Sequence, residues 1–202
     1  MKTIIPFLFT FLVLLTAACG RIDPVPVDHY YRLTIPATDA GSGFVTEESL
    51  HVNDFIAEGL FNERAMLYSE DESRQELKQY RYHFWATSPP DMLRDALVRY
   101  LRSKNAAPMV IADTIIHHNS LRISGRVTDF EEIRQGDQAI SSVGIELRVD
   151  EFNNYTPLLV KDYTSTVRID GNTMGDAVLA YNSAVREIYT EFLDDLREAL
   201  SR

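Results

Sequence analysis

The strongest constraint on this chain lies at its C-terminal end. From Thr173 to Leu200, apolar side chains at Met174, Val178, Tyr181, Val185, Ile188, Phe192 and Leu196 recur at spacings of three and four. That period puts them on one face of an α-helix, which at 1.5 Å per residue runs roughly 40 Å. Thr173 followed by Asp176 has the pattern of a capping box at its start. A long helix with a single apolar stripe needs something of similar length to cover. That is either a sheet or the matching seam of an oligomer.

The middle of the chain supplies a sheet. "SLRISGRVTDF" alternates Leu121, Ile123 and Val127 with Arg122, Ser124 and Arg126. "AISSVGIELRVD" alternates Val143, Ile145, Leu147 and Val149 with Ser142, Glu146 and Arg148, and "PLLVKDYTSTVRID" follows. Period-two alternation means strands with one buried and one wet face, and the separating "RQGDQ" and "EFNNYT" read as hairpin turns. Nearer the N-terminus, Tyr30–Pro36, Leu50–Phe55, Arg64–Tyr68 and Leu77–Trp85 have strand composition. In the last of these, alternation puts Tyr80, Tyr82 and Phe84 on one side and Gln79, Arg81, His83 and Trp85 on the other. A second helix begins at "SPPD", where Ser88 caps, Pro89 takes the first helical position and Asp91 completes a capping-box pattern. Its stripe is Leu93, Leu97, Tyr100 and Leu101, and Asn105 is its stop. Strands, helix, meander and helix together predict an α+β fold, a mainly antiparallel sheet with two amphipathic helices packed on one face.

The first residues are of a different kind. Lys2 precedes an apolar run, Ile4 to Leu15, and small residues Thr16, Ala17 and Ala18 lead to Cys19, the only cysteine among 202 residues. The run is shorter than the about 20 apolar residues of a spanning helix and has the layout of a secretory signal. Ending at Ala18-Cys19, it resembles a bacterial lipobox, in which the cysteine is acylated and becomes the new N-terminus. Residues 1–18 are therefore expected to be a lipoprotein signal peptide and residues 19–29 a lipidated tether with two prolines, followed by a single domain over 30–202. That domain has no cysteine, so burial rather than disulfides must hold it. With a formal net charge of −10, the chain lacks a basic surface for nucleic acid or for broad adhesion to anionic lipid, which leaves the acyl anchor to attach it to a membrane.

Catalytic chemistry is absent from the pattern. The five histidines lack metal-ligand spacing, His117 and His118 being adjacent, and no serine stands in a nucleophile elbow. Acidic pairs such as Asp71-Glu72 and Glu131-Glu132 read as solvated loop charges, and "SEDESRQE" as a solvated turn. No enzyme, cofactor or metal is expected. Three residues stand out for binding. Trp85, the single tryptophan, either buttresses the turn into the helix or anchors a partner. Arg64 is a strand-edge charge or a partner contact, and Tyr82 belongs to an aromatic face that is either core or lipid-facing.

In order, the lipobox, the proline-containing tether, Tyr30-Tyr31-Arg32-Leu33, Val52 through Tyr68 with "ERAMLY", and "YRYHFWA" before Pro89-Pro90 resemble the ABC-type transport auxiliary lipoprotein family. This family includes the lipoprotein of the paraquat-inducible operon. The resemblance is best over residues 30–102 and beyond them is one of layout. It implies a non-enzymatic periplasmic subunit working with an ABC permease, an ATPase and an MCE-domain protein in lipid transport. Arg64, Trp85 and Tyr82, singled out above, are the candidate partner contacts. Gly20, where aspartate would favour inner-membrane retention, points to the periplasmic face of the outer membrane. A homo-oligomer is compatible with this role. The alternative is a lipoprotein that binds a hydrophobic ligand by itself, in a cavity lined by Tyr82, Phe84 and the helix stripes.

Overall fold

The structure, a computed structural model, describes residues 25–36, 43–71, 73–112, 120–136, 138–151 and 156–201. Cys19, the signal segment, His117-His118 and most of "EFNNYT" lie outside the described residues. The elements in order are β1 (His29–Tyr31), β2 (Ser49–Val52), β3 (Ile56–Ala57), a 3₁₀ turn (Gly59–Asn62), β4 (Ala65–Ser69), β5 (Lys78–Trp85), α1 (Pro89–Ser103), β6 (Val110–Ile111), β7 (Ser120–Gln135), β8 (Gln138–Glu151), β9 (Leu159–Arg168) and α2 (Met174–Leu200).

The sheet is built around β7. On one side β7, β8 and β9 form the expected antiparallel meander, with Gln135 opposite Gln138 closing a tight turn in which Gly136 takes φ +62°. On the other side the expectation of a mainly antiparallel sheet is corrected. β2, β3 and β4 pair with β7 in parallel, one after another, at Ser120–Ile123, Arg126–Val127 and Glu132–Ile133. β6 is parallel to β2, and β1 is parallel to β5, while β5 returns antiparallel to β4. The sheet is mixed, because alternation reports which face is wet and carries no information on strand direction.

Both helices bury their stripes in the hydrophobic cluster formed by Leu121, Ile123, Val143, Ile145 and Leu147. The Tyr189 hydroxyl donates to the Leu93 carbonyl at 2.7 Å, joining α2 to α1. At the start of α2 the capping box forms as expected. Asp176 N–H donates to Thr173 Oγ1 at 3.2 Å, and Thr173 N–H donates to Asp176 Oδ2 at 3.0 Å. At α1 the box is incomplete, since the Ser88 hydroxyl donates to the Asp91 carboxylate at 2.6 Å instead of accepting from backbone. Asn105 ends α1 in the left-handed region at φ +51°, with Ala106 N–H donating to Leu101 O at 3.0 Å. The polar flank of α2 is fastened to β9, where Lys161 reaches Glu191 and Asp195 at 2.8 Å, Tyr163 reaches Asp195 at 2.9 Å, and Ser165 reaches Glu187 at 2.7 Å.

Two expectations about charge also change. Glu131 and Glu132 lie within β7 and are buried. The "SEDESRQE" segment is not wholly solvated, because Arg74 turns back onto the sheet and pairs with Asp129 and Glu131, while Ser69 and Ser142 donate to the same carboxylates. A buried carboxylate without such partners would be strongly unfavourable, which explains why an arginine from a surface turn is drawn onto this face.

Candidate functional site

Parallel in-register pairing puts equivalent residues side by side on the same face. β1 ("HYY") and the end of β5 ("HFW") are paired in this way, His29 with His83, Tyr30 with Phe84 and Tyr31 with Trp85. The sequences therefore become ring pairs. Tyr30 and Phe84 stack with centroids 5.7 Å apart, His29 and His83 stack at 5.3 Å, and the Tyr31 hydroxyl lies 2.9 Å from His83 Nδ1. Tyr30 is 57% exposed, so the Tyr30–Phe84 pair is a surface feature. Partial burial, then the neighbouring charge of His29, hold His83 below the ordinary histidine pKa.

Arg64 is fixed over the Tyr30 ring of this pair. Its guanidinium carbon is 5.3 Å from the centroid of Tyr30, its Nε donates to Trp85 O at 3.1 Å, and Trp85 N–H donates back to Arg64 O at 2.7 Å. An arginine on a tyrosine face gains cation–π attraction while keeping other N–H donors for a partner. The structure thus brings Arg64 together with Tyr30 and Phe84. Tyr82 lies two residues before Phe84 on β5 and is half-buried. Trp85 is corrected as a direct partner contact. Its indole is 1% exposed and packs between Phe130 and Tyr181, with centroids at 5.1 and 5.2 Å. It holds the end of β5 from inside, and Arg64 reads its carbonyl from outside.

The expected side-by-side order of Tyr80, Tyr82 and Phe84 is broken. Ala65 of β4 faces Phe84 but Leu67 faces Gln79, so the middle of β5 leaves the ladder. Tyr80 turns to His83, edge-on at 5.7 Å, and belongs to a separate polar cluster. There its hydroxyl donates to Glu132 at 2.7 Å, and Arg134 donates to Glu132 at 2.9 Å while lying over the rings of Tyr68 and Tyr80 at 4.6 and 5.2 Å. Burial and the Glu132 carboxylate push the Tyr80 phenol well above its usual value. The cluster pairs its charges internally. Sequence reading missed Tyr30 and the His29–His83 pair as parts of one surface, since the only signal is the shared H-aromatic-aromatic triplet at 29–31 and 83–85.

Among the described residues there is no group of three or more histidine, cysteine or acidic side chains placed to hold a metal ion, and no helix long and apolar enough to cross a membrane. The class of protein that fold and surface define is, among the described residues, a body of two helices on a mixed sheet that presents an arginine-fixed aromatic surface beside its first strand. The sequence matches the family of the ABC-type transport auxiliary lipoprotein component over residues 31–192, and the chain belongs to that family. No curated relative matches it. Among solved structures it is similar to protein XCC0632 from Xanthomonas campestris, at 16% identity and TM-score 0.74 over 86% of this chain and 97% of that one. It is also similar to an uncharacterized protein at 14% identity and TM-score 0.62, over 86% of this chain and 99% of that one. At such identities the likeness shows the fold alone. The family description is that of a transport accessory, an association with an ABC transport system.

Proposed function

We propose that the chain is the non-enzymatic, lipid-anchored auxiliary subunit of an ABC/MCE-type lipid transport system. After removal of residues 1–18, acylated Cys19 holds it on the periplasmic face of the outer membrane, and residues 19–29 tether the domain formed by residues 30–202. The domain docks an MCE-domain protein at that membrane. The observation that carries this reading is the Arg64–Tyr30–Phe84 surface, with Arg64 and Tyr30 exposed and half-buried Tyr82 two residues before Phe84, built on the strand that the tether enters. A rigid aromatic pair topped by a pre-positioned arginine has the composition of an interface anchor, in which aromatic and arginine side chains carry most of the binding energy. Anchoring one end of a transporter needs position rather than chemistry, which is consistent with the buried acids Glu131 and Glu132 being paired within the fold by Arg74 and Arg134.

The test is co-purification of the full acylated chain with an MCE-domain protein from the same envelope, and the same experiment with Arg64→Glu and Tyr30→Ser. The wild type retains the partner, and each variant weakens retention at least about tenfold, as expected for loss of one anchor residue. Failure of the wild type to retain any MCE-domain protein refutes the role, and retention unchanged in both variants refutes the surface.

A further inference from the structure

We infer that the groove between the 3₁₀ turn and the middle of β7 is a binding site for a single-chain anionic amphiphile, an alkyl chain with one negatively charged head. The groove encloses about 620 Å³, within the range of small-molecule clefts. It is lined by Leu60, Phe61 and Leu77, by Gly59 and the exposed Thr128, and by the β7 segment at Val127, whose own side chain is buried in the core. Leu60 is left 37% exposed, and Phe61 and Leu77 are half-buried.

The groove exists because β7 lacks a strand partner here. Its edge is paired by β3 as far as Val127 and by β4 from Glu132, and between those points no strand pairs with that edge among the described residues. A bulge falls at the same place, since the β7–β8 register shifts between Val127 and Asp129. Gly59 begins the turn opposite at φ +57°, and a Cβ added there would meet nothing within 4 Å. The open space is therefore bounded by Leu60, Phe61 and Leu77, with Thr128 and the Arg126–Glu58 pair as its polar parts.

One cation stands at the rim. Arg126 lines the groove, is 47% exposed, and makes a 3.3 Å contact with Glu58, itself 87% exposed and lining the same groove. A pair this long and this exposed contributes little to stability, so an incoming anion can replace Glu58 at small cost. Three apolar side chains beside a replaceable arginine partner match an amphiphile with one anionic head better than they match a neutral or cationic one. A carboxylate or phosphate head would take two N–H donors of Arg126, and the chain would cover Leu60, Phe61 and Leu77. This site is remote in composition from the Arg64 surface and stands independently of the docking role.

The experiment uses the full chain with Cys19→Ser, so that no acyl group of its own competes, and a dansyl-labelled undecanoate below its micellar concentration. The probe brightens and saturates at one per chain, and Arg126→Gln weakens it at least about tenfold. Glu58→Gln tightens it, and Leu77→Asp abolishes it, with Trp85 emission confirming that each variant is folded. Displacement by dodecanoate identifies a free fatty acid as the source, and displacement by lysophosphatidylglycerol alone identifies a phospholipid; either supports the site. Absence of saturable binding, equal displacement by uncharged dodecyl maltoside, or affinities unchanged in both Arg126→Gln and Glu58→Gln overturns it.

Discussion

Gly125 offers the sharpest test of how the parallel side of the sheet is held. It sits mid-strand in β7, and its backbone is outside the left-handed region, so any residue can adopt its conformation. By backbone entropy alone, Gly125→Ala should stabilise the protein by about 0.4–1 kcal/mol. The structure predicts the opposite sign. A Cβ built there lies 2.8 Å from three ring carbons of Phe55, against roughly 3.5–4.0 Å for carbon atoms in contact. Phe55 is 5% exposed and connects β2 to β3, so its ring cannot swing away without pulling on both strands. Overpacking of this kind costs about 1–3 kcal/mol, a fall in Tm of roughly 2–12 °C for a chain of this size. The assay is urea and thermal unfolding followed by emission of Trp85, the only tryptophan and a core residue. Phe55→Leu destabilises on its own, but the double variant should lose at least about 1 kcal/mol less than the sum of the two singles. A stabilising Gly125→Ala, or single effects that simply add, would refute the seating of Phe55 on the glycine.

Three other outcomes follow from the same geometry. Thr173→Ala removes the acceptor for Asp176 N–H and should lower Tm by about 2–4 °C in thermal melts, with helix content otherwise unchanged. Asp150 is held below the usual carboxylate range by its hydrogen bonds from Arg148, against the effect of burial and with Arg122 assisting. Its contribution is therefore fully present above the unfolded-state value of about 3.9 and lost as pH falls through the lower folded value. Urea midpoints should show Asp150→Asn weaker than wild type at pH 7 and the gap narrowing progressively as pH falls below the unfolded-state value, and a gap that stays constant across that fall contradicts the assignment. Cys19→Ser should abolish incorporation of a tagged palmitate that the wild-type chain takes up, and an unlabelled wild type ends the anchoring proposal.

How much of the candidate site could be read beforehand depends on how local its causes are. The Thr173–Asp176 box and the Asn105 stop were legible because each is settled within a few residues. Arg64 and Tyr82 were recognisable as candidates, but their company was not. Tyr30 meets Phe84 only because two strands more than fifty residues apart run parallel in register. Trp85 illustrates the reverse case. Its neighbours in sequence are half-exposed, yet Phe130 from β7 and Tyr181 from α2 close over it. The acids of β7 misled for a related reason, since adjacent glutamates imply solvent unless a distant arginine and serines are known to arrive.

The direction of β2, β3 and β4 has a physical explanation that local alternation could not supply. Their partners on β7 advance in the same order as the chain, from Ser120 to Ile133, so the three behave as one long parallel strand interrupted twice. A parallel pair needs a crossover, and the path from β4 back to the start of β7 passes through β5, α1 and β6. The strand–helix–strand order in the sequence was thus the available signal for a parallel edge, outweighed in reading by the three clean hairpin-like strands that follow. The interruptions themselves come from composition. "NDF" and "EGLFNE" contain residues that favour turns, and Gly59 adopts the left-handed conformation that lets the chain step aside before rejoining β7. Were Gly59 replaced by valine, the strain at φ +57° would act directly on the second interruption, moving the turn that walls the groove while leaving the β7–β8–β9 meander and the long helix α2 in place. Loss of probe binding with an unchanged helical signal would therefore separate the interrupted edge from the rest of the fold, whereas global unfolding by this one substitution would show that the edge is integral to the core.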